Sequence, residues 1–94
     1  MKTPYLYTKI ILMTAPRKNE IPREHLLKIA AIGNKVKELR VAKNLSIERF
    51  CSRHEIPRIT YGNLEKGQAA FQITTLLTVL DVHEIDLSSF FDGI

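Results

Sequence analysis

The residues of this 94-residue chain that could act as nucleophiles, acids or bases do not form a recognisable catalytic set. The three histidines, His25, His54 and His83, lie in different segments, and none has an obvious partner. The serines stand where helix caps and helix surfaces are expected. Hydrolytic or transfer chemistry needs a nucleophile and a base within hydrogen-bond reach, or paired carboxylates in a cleft. We therefore expect no catalytic residues, no enzymatic activity and no cofactor.

The single cysteine, Cys51, excludes a disulfide within the chain. Cys51 falls on the apolar face of a predicted helix, where a buried structural thiol is more common than a reactive one. With no second cysteine and only scattered histidines, no set of residues has the spacing of a zinc site. The sequence therefore predicts no metal site.

The remaining polar side chains carry cationic, hydroxyl or amide groups, which can bind a polyanion. Such residues are frequent between positions 49 and 66, and they are Arg49, Arg53, Arg58, Thr60, Asn63 and Lys66. Residues 32–67 contain eight lysines and arginines against four glutamates, whereas residues 68–94 contain four acids and no lysine or arginine. A basic body with an acidic end suits a polyanionic partner on one face. Taken alone, the charge is explained equally well by a solvated surface.

The elements that must position these residues are helical. Pro22 opens a helical pattern, because proline favours the first turn of a helix. Apolar residues then recur at spacings of three and four up to Ala42, which predicts one long helix, or two helices with a bend near Gly33. Asn44 is the predicted stop.

Two short helices joined by a tight turn are predicted next. Ser46 is the candidate N-cap of the first helix, and Glu55-Ile56-Pro57 ends it. The second helix covers Arg58–Lys66, and Gly67 is its stop. In a helix-turn-helix protein, the first such helix crosses the DNA backbone and the second lies in the major groove. The segment therefore has the form of a helix-turn-helix DNA-binding motif.

A fourth helix over Gln72–His83 and a last turn capped by Asp86 complete an all-α domain of five helices, which we place at residues 22–94. Residues 1–21 form an N-terminal arm. The residue types in Tyr5–Met13 favour a short β-strand that pairs with its copy in a dimer, and a disordered tail is the equal alternative. The apolar run Ile10–Met13 is far too short to span a bilayer, so no membrane partner is expected.

The ordered set of motifs resembles the phage-repressor (Cro/Xre-type) helix-turn-helix family. The motifs are Ile32-Gly-Asn-Lys-Val-Lys-Glu-Leu-Arg40, Leu45-Ser46, Leu64-Glu-Lys-Gly67, Thr75-Leu76-Leu77 and Phe90-Phe91. The resemblance runs without gaps over about residues 32–91. It implies a five-helix, lambda-repressor-like domain and a prokaryotic transcriptional regulator. Such a protein acts in the cytoplasm, on the nucleoid, and binds a pseudo-palindromic site in double-stranded DNA as a homodimer.

The resemblance also implies roles for individual residues. Arg40 and Glu65 match the structural ion pair of the family, and Arg58, Ile59 and Asn63 match its base-contacting positions. The residues expected to reach the DNA backbone are Lys43, Arg53, Thr60 and Lys66.

The chain departs from the family pattern at several positions. Pro57 stands where serine or threonine is usual, and Gly62 lies inside the recognition helix. His83 stands where a buried leucine is usual, and we expect it to be partly exposed or hydrogen-bonded. These departures leave an alternative function on the same fold. The chain would then be an antitoxin-like protein, or a module that acts only through contacts with a toxin or another regulator.

Overall fold

Five α-helices form the regular structure of residues 20–94, the part of the chain that this computed structural model describes. They are α1 (Arg23–Ala42), α2 (Ile47–His54), α3 (Arg58–Glu65), α4 (Ile73–His83) and α5 (Leu87–Phe91). No strand occurs among these residues, so the described part of the chain is all-α. The strand predicted at Tyr5–Met13, and the arm up to residue 19, lie outside it.

Helix α1 is one continuous helix of 20 residues, so the alternative of two helices with a bend is wrong. Gly33 is buried in the middle of α1, where it faces the backbone at the end of α3. The helix ends at Ala42, and two residues later Asn44 has a left-handed φ of 58° and donates its N–H to the carbonyl of Val41 at 2.9 Å. A left-handed residue directs the chain away from the helix axis, and asparagine tolerates this conformation better than most residues.

Side-chain caps set the beginnings of α2 and α5. The Oγ of Ser46 accepts a hydrogen bond from the N–H of Arg49 at 3.1 Å, as the N-cap prediction requires. Asp86 accepts from the N–H of Ser89 at 2.7 Å, and this bond lowers the pKa of the Asp86 carboxyl. The predicted bounds of α3 and α4 each differ from the observed ones by one residue, within the usual fraying of helix ends.

Helix α3 is the central element, because α1, α2 and α4 all pack against it, while α5 packs on α4. Its Tyr61 and Leu64 are fully buried. The other core side chains are Val36, Phe50, Cys51, Ile56, Leu76, Val79, Leu80 and Phe90. Burial raises the pKa of the Cys51 thiol, as expected for a structural cysteine. The core therefore holds α3 from three sides and leaves its remaining face to solvent.

None of the five helices in the described part of the chain combines the length and the apolar character that a membrane crossing requires.

Candidate nucleic-acid interface

The outer face of α3 carries the residues that the sequence assigns to base contacts. Ile59, Asn63 and Lys66 follow one another at spacings of four and three residues, so they share one side of the helix, and all three are exposed. The side chain of Ile59 is 77% exposed, although isoleucine is an apolar residue. Arg58, the first residue of α3, is also exposed. The structure thus places the three predicted base-contacting residues on the solvent side of α3.

A buried ion pair fixes the end of α3 to α1. Nε of Arg40 donates to Oε2 of Glu65 at 2.6 Å, and Nη2 donates to Oε1 at 3.2 Å. The two side chains are only 10% and 6% exposed. Two parallel bonds between a guanidinium and a carboxylate hold both groups in one plane and are among the strong hydrogen bonds of proteins. The structure therefore brings together the two residues that the resemblance pairs.

Two further hydrogen bonds complete this network. Nη1 of Arg40 donates to the carbonyl of Leu45, and the hydroxyl of Tyr61 donates to Oε2 of Glu65, both at 2.6 Å. Hydrogen bonding to Glu65 raises the pKa of the Arg40 guanidinium further above its ordinary value. Burial raises the pKa of Tyr61, and the bond to Glu65 adds to this, so both groups keep their protons. The network ties α1, the α1–α2 loop and α3 into one unit.

An exposed ion pair joins the starts of α2 and α3. Nε and Nη2 of Arg58 donate to the same oxygen, Oε2 of Glu48, at 3.1 Å and 2.8 Å. A hydrogen bond from its own backbone N–H lowers the pKa of Glu48, and the bond from Arg58 lowers it further. The sequence prediction did not include Glu48. Its spacing of ten residues from Arg58 carries no local signal, because the contact depends on how α2 and α3 cross.

The four residues predicted to contact the DNA backbone lie in different settings. Lys43 and Lys66 are exposed at the C-terminal ends of α1 and α3, and Arg53 is exposed on α2. Arg53 also lines a shallow, open depression with Arg49. Thr60 is half-buried in α3, so it is less accessible from outside than the other three.

His83 lies beneath this surface, against Phe50 of α2. The two rings stack with centroids 5.4 Å apart and planes 10° apart. His83 is half-buried, so it is partly exposed as predicted, but its Nε2 is buried and has no hydrogen-bond partner among the described residues. Burial lowers the pKa of His83, and the nearby charges of Lys43 and His54 lower it further.

Comparisons with models of protein families, with curated proteins and with solved structures gave no match to this chain.

The side chains exposed on this surface can bind a partner. Within residues 20–94, no three histidine, cysteine, aspartate or glutamate side chains cluster as metal ligands would. The exposed face of α3 instead offers a guanidinium, an amide and a branched apolar group next to one another. The guanidinium can donate hydrogen bonds, the amide can donate and accept them, and the apolar group can pack against methyl groups of a partner.

Proposed function

We propose that this chain is a sequence-specific DNA-binding regulator of transcription, with a lambda-repressor-like domain of the Cro/Xre type. One observation carries the proposal. Two eight-residue helices, α2 and α3, are joined by the three residues 55–57, and α3 exposes Arg58, Ile59 and Asn63 while three other helices hold its inner side. This is the arrangement that lets a second helix enter the major groove of DNA with its first residues at the base edges.

The side chains on α3 match the chemistry of base edges in the major groove. A guanidinium such as that of Arg58 pairs with O6 and N7 of guanine, and an amide such as that of Asn63 pairs with N6 and N7 of adenine. Each such pair contributes about 1–3 kcal/mol of discrimination against the wrong base. Ile59 can only make apolar contact, for which the methyl group of thymine is the natural partner. The exposure of Ile59 favours this role.

The cations around α3 supply contacts to phosphates. Lys43, Arg53 and Lys66 are exposed on three different elements, so together they can fix the register of a duplex against α3. Contacts of this kind release counterions, and affinity then falls steeply as salt rises. Half-buried Thr60 has a smaller part in this proposal.

Binding as a homodimer to a pseudo-palindromic site completes the proposal. Two copies of α3 would then lie about one turn of DNA apart, roughly 34 Å. The regulator would act in the cytoplasm, on the nucleoid. Sedimentation of the full chain with and without its selected DNA tests this part. A dimer on the DNA is expected, and a monomer at high micromolar concentration under both conditions would exclude it.

Selection from a random duplex library at two salt concentrations, with sequencing of the retained pool, tests sequence-specific binding. We expect a consensus whose symmetry reports the dimer and an affinity that falls with salt. The double variant Arg58→Ala/Asn63→Ala should lose the consensus. The matched control Arg23→Ala/Asn34→Ala removes exposed residues of the same types from α1 and should keep it. If both double variants bind like the wild-type chain, α3 is not the helix that contacts the bases.

A protein-interaction module, such as an antitoxin, is the second candidate. Several large apolar residues outside α3 are exposed, namely Ile21, Leu26, Leu27, Ile73 and Leu77. Exposed apolar residues favour contact with another protein where they form one contiguous patch. Weak, sequence-independent binding in the selection experiment would favour this candidate, and the search would then move to protein partners.

A further inference from the structure

Arg58 uses only one of its two hydrogen-bonding edges within the protein. A guanidinium has a side edge, formed by Nε and one Nη, and an end edge, formed by both Nη atoms, and its five N–H groups have fixed directions. Glu48 accepts from Nε and Nη2 of Arg58, so it occupies the side edge. No hydrogen bond of the described residues uses Nη1, so the end edge remains open.

The open edge faces away from Glu48, because the two edges of a guanidinium point in different directions. The Arg58 side chain is 60% exposed and that of Glu48 is 65% exposed, so the pair lies on the surface next to the outer face of α3. An end edge with two parallel N–H groups matches O6 and N7 of guanine. Fixing a long side chain before it binds also removes part of the entropy that binding would otherwise cost.

We propose that Glu48 is a positioning residue that holds Arg58 end-on toward a guanine and thereby makes one G·C pair a specificity determinant of the site. The inference rests on the proposed function. It adds a residue on α2 to the reading surface and states which base pair depends on it.

The same contact limits binding to the wrong sequence. An arginine bonded to Glu48 turns less often toward a nearby phosphate, which would bind it whatever the sequence. Glu48 also places a carboxylate close to the DNA phosphates, which repel it. A duplex without the guanine makes no hydrogen bonds with Arg58 that could offset this repulsion. Loss of Glu48 should therefore raise affinity for random DNA while it lowers the preference for the G·C pair.

The experiment compares Glu48→Ala with Glu38→Ala in the full chain. Both residues are exposed glutamates in helices, so both substitutions change the net charge equally. The measurement is the ratio of affinities for the selected site and for the same site with the G·C pair changed to A·T. We expect Glu48→Ala to lower this ratio about three- to tenfold, as loss of a preordered side chain allows. Glu38→Ala should change it by less than about twofold, as for a distant site.

Two further measurements separate positioning from a loss of folding. Glu48→Ala should leave the ratio at the base pair that depends on Asn63 unchanged, whereas a misfolded chain would lose both ratios. In an Arg58→Ala background, Glu48→Ala should have no further effect on the G·C ratio, because Glu48 acts through Arg58.

Three results would overturn the inference. A wild-type G·C ratio retained by Glu48→Ala would show that Arg58 needs no partner. A consensus in which no G·C pair depends on Arg58 would remove the base that the inference names, and the proposed function would still stand. A wild-type chain with no consensus at all would overturn the proposed function together with the inference.

Discussion

Gly33 of α1 lies so close to Glu65 of α3 that a Cβ atom built on Gly33 would be 2.5 Å from the Glu65 carbonyl oxygen and 2.7 Å from that of Leu64. Both contacts are with backbone, which cannot rotate away as a side chain can. Glycine therefore sets the distance between α1 and the helix that carries the candidate interface.

Gly33→Ala should destabilise the protein even though alanine favours a helix more than glycine does. Separating two packed backbones costs about 1–3 kcal/mol, as in other overpacked cores. Urea unfolding followed by circular dichroism measures the difference. A variant as stable as the wild-type chain would mean that α1 and α3 are farther apart than in this structure.

Gly62→Ala should have the opposite effect. A Cβ atom on Gly62 would meet nothing within 4 Å, and the residue lies inside α3 with an ordinary helical backbone. We expect a gain of about 0.5–1 kcal/mol in the free energy of unfolding, from the higher helix propensity of alanine. The same urea titration checks it, and Gly33→Ala is the matched comparison. A loss of stability at both positions would contradict the difference in their surroundings.

Glu65→Ala should remove the acceptor shared by Arg40 and Tyr61. An unpaired guanidinium would then remain buried, at a cost of about 3–5 kcal/mol. Tyr61→Phe removes only one hydrogen bond to the carboxylate, so a smaller loss of about 1.5–3 kcal/mol is expected. Chemical denaturation of both variants shows which of them loses more free energy of unfolding. An equal effect of the two would mean that the hydrogen bond from the Tyr61 hydroxyl, and not the ion pair, accounts for the stability that Glu65 contributes.

The double variant Arg40→Met/Glu65→Leu tests whether the ion pair acts as a unit. Replacement of both charges by apolar side chains leaves no buried charge without a partner, so the double variant should lose less stability than the two single variants together. Additive losses would mean that the two residues act independently.

Stability should depend on pH through His83. The pKa of His83 is lowered below its ordinary value of 6.5 in the folded chain, so the unfolded chain binds a proton at higher pH than the folded one. The contribution of neutral His83 is therefore complete above about pH 6.5 and is lost as the pH falls toward the folded pKa. The free energy of unfolding, measured at several pH values, should therefore decrease as the pH falls below about 6.5.

His83→Leu should remove this part of the pH dependence, because leucine keeps an apolar side chain beside Phe50 and has no proton to bind. The control His25→Leu changes an exposed histidine on α1 and should keep the wild-type profile. If His83→Leu and the wild-type chain give parallel profiles, His83 does not titrate in the range that its buried Nε2 indicates.

The helices were predictable because their ends depend on neighbouring residues. Ser46 and Asp86 cap the turn that follows each of them, and Asn44 adopts the left-handed conformation that ends α1. The continuity of α1 at Gly33 was left open, because a glycine inside a helical pattern is locally a weak point. The glycine at position 33 is explained by the close approach of α3, which involves residues more than 30 positions away in the sequence.

The candidate site was predictable only in part. Helical spacing places Ile59 and Asn63 on one face, and this needs no tertiary information. Thr60 is half-buried in α3, and this burial depends on packing that the sequence alone does not show. Glu48 was missed because an exposed glutamate in a first helical turn has an ordinary local explanation, the helix dipole. Its contact with Arg58 exists only once the two helices are packed.

Cys51, buried in the core on α2, gives the protein a built-in reporter of its own opening. A thiol that is covered and held protonated reacts with a thiol-specific reagent only while the helices around it are apart. The labelling rate of the unmodified chain therefore measures how often α2 separates from α3 under native conditions. Slower labelling in the presence of a ligand would reveal binding to these helices, with no dye or engineered cysteine added.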